Sequence, residues 1–96
     1  MTEQERNVLL NELRRQESQR EKQIKRERFR RLNPYVKKGA VVFAGSSLME
    51  QFPIQEFIAD FDLPLTIYNR GVGGFTTSEM LACMQDCVYA LRPAYI

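Results

Sequence analysis

The chain has 96 residues, of which 44% are hydrophobic and 27% charged, and it carries a net charge of +2 and no histidine. A chain of this length forms one small domain at most. No stretch approaches the ~18 consecutive apolar residues of a membrane span. The N-terminus lacks the apolar core and cleavage site of a secretory signal, so we expect a cytoplasmic protein.

The charges are divided unevenly along the chain. Residues 1–38 hold twelve of the fourteen Lys and Arg and carry a net charge of +6, whereas residues 39–96 carry a net charge of −4. Most of the long apolar side chains follow residue 40. The sequence therefore predicts a basic helical arm with its linker over 1–38 and an α/β domain over 39–96. A domain this small hides only roughly 60% of the surface of its unfolded chain, so it would be marginal alone.

Residues 3–33 contain no Gly or Pro and are rich in strong helix formers, which predicts one long helix. Its apolar residues occur only near the two ends, and heptads of apolar residues are missing. We therefore expect a solvated helix that packs its ends on its own domain. The helix should stop before Pro34, because the residue preceding a proline disfavours helical backbone. The apolar residues near the ends are Val8, Leu9, Leu10 and Leu13, then Ile24, Phe29 and Leu32.

The remaining residues alternate between strand and helix patterns. "AVVFAG" (40–45) is a continuous apolar run typical of a strand buried on both faces of a parallel sheet. "LPLTIYN" (63–69) predicts a second strand, and "AYI" (94–96) predicts the first residues of a third. Strands and helices in this rhythm predict a parallel α/β sheet with right-handed crossovers.

Two helices are predicted between these strands. The first opens at Pro53 and presents one apolar face for packing on the sheet. The second begins with the capping box Thr76-x-x-Glu79 and ends before Pro93. The apolar face of the first helix consists of Ile54, Phe57, Ile58 and Phe61, and that of the second consists of Met80, Leu81, Met84, Cys87, Val88 and Leu91.

Two loops follow strands and should therefore lie together at the carboxyl edge of the sheet, where open α/β sheets bind ligands. In the first loop, Ser46 and Ser47 form a tight turn into a helix, so either they cap that helix or one of them is a nucleophile. The second loop, "NRGVGGFTT" (69–77), holds three glycines before a helix start. Its backbone N–H groups suit an anion, whether a phosphate or a developing oxyanion, although a loop that merely needs positive φ has the same composition.

Neither a cofactor nor a metal is expected. Gly71-x-Gly73-x-x-Thr76 approaches the dinucleotide fingerprint, but Thr stands in place of the third glycine. Cys83 and Cys87 without a histidine make a poor zinc site, and we expect both to be reduced, buried thiols.

Together, "VVFAGSSLMEQFP" (41–53) and "YNRGVGGFTTSEML" (68–81) resemble the first two sequence blocks of the SGNH, or GDSL, hydrolases. The likeness is to the lipase and acylhydrolase branch related to platelet-activating-factor acetylhydrolases, and it extends over residues 41–96. It implies a flavodoxin-like parallel sheet in a three-layer α/β/α arrangement, of which this chain would form the N-terminal part.

The resemblance also implies roles for individual residues. Ser47 aligns with the family's nucleophile, and the N–H groups of Ser47 and Gly74 align with its oxyanion hole. Ser46, Asn69 and Arg70 adjoin these positions and are candidates to support them. Ser46 and Phe75 stand where the family often has aspartate.

The family's third block, with its oxyanion Asn, and its last block, with the catalytic Asp and His, have no counterpart in these residues. Lys37 and Lys38 lie roughly 30 Å from Ser47 along an extended strand. Arg70 cannot act as a base, and the Glu50 carboxylate is too weak a base for an alcohol. We therefore expect an N-terminal piece of a serine esterase or lipase acting on small acyl esters. Alone, it should be inactive and either loosely packed or self-associated.

Two other functions compete with this interpretation. The glycine loop could belong to a nucleotide-binding or phosphate-binding Rossmann-like domain. The basic helix could bind nucleic acid or an anionic membrane, since residues 14–31 carry nine Lys and Arg against three acids. Interspersed acids and the absence of Trp and Tyr in that segment disfavour nucleic acid. We instead predict that the helix is an accessory element that does not reach the strand edge carrying Ser47.

Overall fold

The computed structural model describes all 96 residues and begins with the long helix α1, Glu3–Leu32. The hydroxyl of Thr2 caps this helix by accepting a hydrogen bond from the Glu5 N–H at 3.1 Å. A 3₁₀ turn over Asn33–Tyr35, which contains Pro34, ends the helix where the proline predicts.

A parallel sheet forms the centre of the domain. Strand β1, Val41–Gly45, pairs with β2, Ile67–Gly71, in a register that runs from Val41↔Ile67 to Gly45↔Gly71. On the other side of β1, the Val42 N–H donates to the Tyr95 carbonyl at 2.9 Å, and Val41 and Tyr95 form a parallel bridge. The predicted start of a third strand at residues 94–96 is thus present as a single bridge, and it places β1 in the middle of the sheet.

The connections between the strands are helical. Helices α2, Ser47–Glu50, and α3, Ile54–Asp60, join β1 to β2. Helices α4, Thr77–Ala82, and α5, Met84–Cys87, follow β2 and lead into a 3₁₀ turn over Tyr89–Leu91. The single helix predicted after Thr76 is thus divided at Cys83, whose φ of −106° and ψ of 5° leave the helical range.

The buried core lies between one face of the sheet and α5. It consists of Val42, Cys83, Cys87, Val88 and Leu91, which are at most 5% exposed. Leu81 was predicted to join this face but is 69% exposed. The break at Cys83 separates α4 from α5, so one continuous stripe cannot extend through both helices.

The opposite face of β1 carries an aromatic row. The ring centres of neighbouring members of this row are 6.3 Å apart for Phe43 and Phe52, 5.4 Å for Phe52 and Phe57, and 6.1 Å for Phe57 and Phe61. Val42 and Phe43 therefore point to different clusters, as successive strand residues do. The predicted apolar face of α3 is only partly packed, because Ile54 is buried while Phe61 is 68% exposed.

Helix α1 contacts the domain with its second half only. Its first half, including the apolar residues Val8 to Leu13, is exposed. The expectation that both ends pack is therefore wrong for the N-terminal end. None of the helices has the length and apolar character that crossing a bilayer requires.

Candidate active site

The two loops singled out in the sequence leave the same edge of the sheet. Gly45 and Gly71 end β1 and β2 as register partners, and the Val72 N–H donates to the Gly45 carbonyl at 3.0 Å. The turn with Ser46 and Ser47 therefore lies beside the glycine loop, as the parallel topology predicts.

The backbone of α2 packs directly on the end of β2. A Cβ on Gly71 would lie 2.4 Å from the Glu50 backbone nitrogen, so only glycine permits this approach. The Asn69 side-chain amide donates to the carbonyls of Met49 at 2.7 Å and Phe52 at 3.2 Å, and its Oδ1 accepts from the Gly71 N–H at 2.9 Å. Asn69 thus fastens the serine turn to β2.

Neither serine hydroxyl forms a hydrogen bond within the protein. Ser46 occupies the N-cap position of α2, yet its side chain accepts no capping hydrogen bond. Ser47, the first residue of α2, is exposed, and its hydroxyl has no hydrogen-bond partner in the protein. The structural role proposed for these serines as helix caps is therefore absent.

Two backbone donors at this edge also lack acceptors. The Ser47 N–H belongs to the first turn of α2, where helical N–H groups have no partner within the helix, and no other group of the protein accepts from it. The Gly74 N–H has no acceptor either. Gly74 has a φ of +80°, a left-handed conformation that suits glycine.

A cleft of about 330 Å³ opens between the two loops. Gly45 and Ser46 line one side, and the start of α4 lines the other with a mixture of apolar and hydroxyl side chains. The α4 side consists of Phe75, Thr76, Thr77, Met80 and Leu81.

Helix α1 reaches this edge, contrary to the prediction that it lies too far away. Lys25 Nζ lies 2.5 Å from Glu50 Oε1, and Glu50 Oε2 accepts from the Gly73 N–H at 3.1 Å. Lys22 Nζ donates to both carboxylate oxygens of Glu79 at 3.0 Å. The prediction failed because charged side chains make the contacts between α1 and this edge, and apolar periodicity cannot reveal them.

The predicted supporting residues separate in the structure. Ser46 and Asn69 lie at the loop edge, but Arg70 is buried, and its Cζ lies 4.5 Å from the centre of the Phe29 ring on α1. Burial lowers the pKa of the Arg70 guanidinium, an effect that the nearby Cys87 and Tyr68 partly oppose. Because β2 side chains alternate, Arg70 points away from the face on which Asn69 contacts α2.

The carboxylates near the loop already have partners. Hydrogen bonds from Lys22 and from the Thr76 N–H hold the pKa of Glu79 below its usual range. Glu50 is paired with Lys25 and the Gly73 N–H. No group of three or more His, Cys, Asp and Glu side chains is arranged to hold a metal ion.

Comparison with known proteins relates this fold to one solved structure. It is described as "the structure of a putative platelet activating factor from Streptococcus pneumonia", and it superimposes with a TM-score of 0.74 at 27% sequence identity. The match covers 84% of this chain but 37% of that one, so the chain spans well under half of its neighbour's length. No family model and no curated protein matches the sequence.

Proposed function

We propose that this chain supplies the nucleophile and part of the oxyanion hole of an SGNH-type serine hydrolase that cleaves small acyl esters. In this proposal the chain forms the first part of a flavodoxin-like, three-layer α/β/α domain. The structural neighbour's name and the sequence resemblance point to the same class of enzyme.

The observation that carries the proposal is a free serine hydroxyl and two free backbone donors in segments that leave the same edge of the sheet. Ser47 begins α2 and Gly74 lies in the glycine loop, and neither the Ser47 hydroxyl nor the N–H groups of Ser47 and Gly74 have a hydrogen-bond partner in the protein. An oxyanion hole needs unsatisfied N–H groups fixed next to the nucleophile, because the charge they stabilise develops only during the reaction.

In the proposed reaction Ser47 Oγ attacks the acyl carbon and forms a bond to it, while its proton passes to a base. The carbonyl oxygen becomes an oxyanion held by the Ser47 and Gly74 N–H groups, each worth roughly 3–4 kcal/mol. Collapse of this intermediate breaks the ester bond, and the leaving alkoxide takes the proton. Water then hydrolyses the acyl-enzyme in the same way.

The base must come from outside these residues. The chain contains no histidine, and Glu50, the carboxylate one turn beyond Ser47, is already paired with Lys25. A histidine positioned by an acid would complete the relay in this class of hydrolase.

The two alternative functions receive less support. A phosphate in the glycine loop would meet the Glu50 carboxylate, which already accepts the Gly73 N–H. On the basic helix, Lys22, Lys25, Arg26 and Arg30 are paired with acids of the domain, which reduces the positive charge left for a nucleic acid.

The test is labelling by a fluorophosphonate probe, together with hydrolysis of p-nitrophenyl acetate, in the complete protein that carries this chain. We expect Ser47→Ala to abolish both, whereas the matched variant Ser46→Ala should keep appreciable activity. Loss of labelling in Ser46→Ala but not in Ser47→Ala would show that Ser46, and not Ser47, is the nucleophile. Absence of labelling in the unmodified protein would reject the hydrolase function.

A further inference from the structure

The loop that carries Gly74 is held from outside the sheet by α1. Glu50 connects three elements, because its backbone belongs to α2, its Oε2 accepts the Gly73 N–H at 3.1 Å, and its Oε1 pairs with Lys25 on α1 at 2.5 Å. The contact is close, since a Cβ on Gly73 would lie 2.7 Å from Glu50 Oε2 and 3.7 Å from Lys25 Nζ.

A second contact from the same face of α1 lies one turn earlier. Lys22 donates to both oxygens of Glu79, and Glu79 Oε1 also accepts from the Thr76 N–H at 3.1 Å. The Cε of Lys22 would lie 3.2 Å from a Cβ on Gly74. Lys22 and Lys25 are three residues apart and therefore share one face of the helix, so α1 holds the loop on both sides of Gly74.

We propose that Lys25 and Glu50 are positioning residues that fix the Gly73–Gly74 backbone against the Ser47 turn, which makes α1 a structural part of the oxyanion hole. This inference rests on the function proposed above for Ser47 and Gly74. It differs from that function because neither Lys25 nor Glu50 touches the reacting atoms.

The physical reason lies in the flexibility of the loop. Three of the four residues at positions 71–74 are glycines, at 71, 73 and 74, so the loop by itself could adopt many backbone conformations. The Glu50 side chain is 29% exposed, so its carboxylate can accept the Gly73 N–H only while that side chain is held in its present orientation. Without the Lys25 charge, hydration competes for that carboxylate, and the Gly74 N–H next along the chain loses its fixed direction.

The expected kinetic signature is a loss in kcat with little change in KM, because the oxyanion exists in the transition state and not in bound substrate. Removing a complete oxyanion donor costs about 10²–10³ in kcat. Misdirecting one donor should cost less, so we expect a decrease of about tenfold or more in Lys25→Met and in Glu50→Gln.

The experiment uses the complete protein with p-nitrophenyl acetate, and it measures hydrogen exchange of the backbone over residues 70–76. In Lys25→Met we expect lower kcat, unchanged KM and faster exchange, and in Lys25→Arg we expect recovery of most of the kcat. Arg28→Met is the matched control, because Arg28 is exposed on the same helix and forms no ion pair. It should leave both measurements unchanged.

The double variant Lys25→Met/Glu50→Gln should be about as impaired as either single variant, since both remove the same link. Normal kcat and normal exchange in Lys25→Met would overturn the inference, as would an equal loss in Arg28→Met. If the unmodified protein hydrolyses no ester, the proposed function fails. The exchange measurement then still decides whether Lys25 and Glu50 hold the loop.

Discussion

The guanidinium of Arg70 lies over the ring of Phe29, with 4.5 Å between Arg70 Cζ and the ring centre. This contact joins β2 to α1 at a point where Arg70 Nη1 is buried without a hydrogen-bond partner. A buried cation that forms no ion pair relies on such a contact, which contributes up to about 2 kcal/mol when desolvated. Phe29 is therefore a principal apolar anchor of α1.

We expect Phe29→Ala to lower the free energy of unfolding by about 2 kcal/mol, because it removes both a half-buried ring and the partner of Arg70. Arg70→Met should be neutral or stabilising, since an apolar side chain of similar length removes an unpaired buried charge. Chemical denaturation measures both variants. Ile24→Ala, at a residue 48% exposed on the same helix, is the control and should change little.

Two truncations separate the halves of α1. Deleting residues 1–16 removes only exposed residues, so the proposed esterase turnover and the stability should stay close to those of the undeleted protein. Deleting residues 1–26 also removes Lys22, Lys25 and Arg26, and we expect kcat to fall by about tenfold or more from loss of the loop contacts. Equal activity of the two truncations, both confirmed as folded by circular dichroism, would restore the view that the helix is accessory.

Acid should release α1 from the domain. Hydrogen bonds from Lys22 and the Thr76 N–H lower the pKa of Glu79 below its ordinary value of 4.5. Burial raises the pKa of Asp86, but hydrogen bonds from Arg30 and Arg26 outweigh burial and bring it below 3.8. A carboxyl whose pKa is lower in the folded than in the unfolded state stabilises the protein at a pH above its unfolded-state pKa. This contribution is lost as the pH falls through its folded-state pKa.

Thermal melting as a function of pH tests this expectation. The melting temperature should fall as the pH drops below the ordinary values of these two carboxyls, 4.5 and 3.8. In Lys22→Met the decrease should be shallower, because Glu79 no longer gains from its partner. An identical acid profile in this variant would show that the Lys22–Glu79 pair contributes nothing to docking.

The two cysteines should resist modification in the folded protein. Both are buried and unpaired, as the sequence predicts. Burial, with a smaller contribution from Cys83, raises the pKa of the Cys87 thiol to about 11, although the positive charge of Arg70 opposes this increase. Since the thiolate is the reactive form, Ellman's reagent at neutral pH should label neither thiol rapidly until denaturant is added, when both should react. Fast labelling of folded protein would show that this core opens readily.

Local sequence signals were sufficient for the order of strands and helices, although not for the break between α4 and α5 at Cys83. The apolar run before Gly45 predicted a buried strand, the Thr76 and Glu79 pair predicted the start of α4, and both are present. The parallel topology then required the serine and glycine loops to share one edge. These features depend on short-range periodicity and on capping, so they can be recognised without knowing what packs against what.

The docking of α1 and the final direction of Arg70 depended on tertiary structure. The opposite net charges of residues 1–38 and 39–96 were a sequence signal for attraction between the arm and the domain. Net charge alone does not identify the partners, because any acidic and basic side chains that the fold brings close together can form an ion pair. The sequence by itself thus determined the strands, the caps and the common edge of the two loops. Only the tertiary structure decided that Lys22 and Lys25 contact the acids beside the Gly74 loop, because Lys25 pairs with Glu50 and Lys22 with Glu79, which are distant in sequence and are brought together by the crossing of a helix over a sheet.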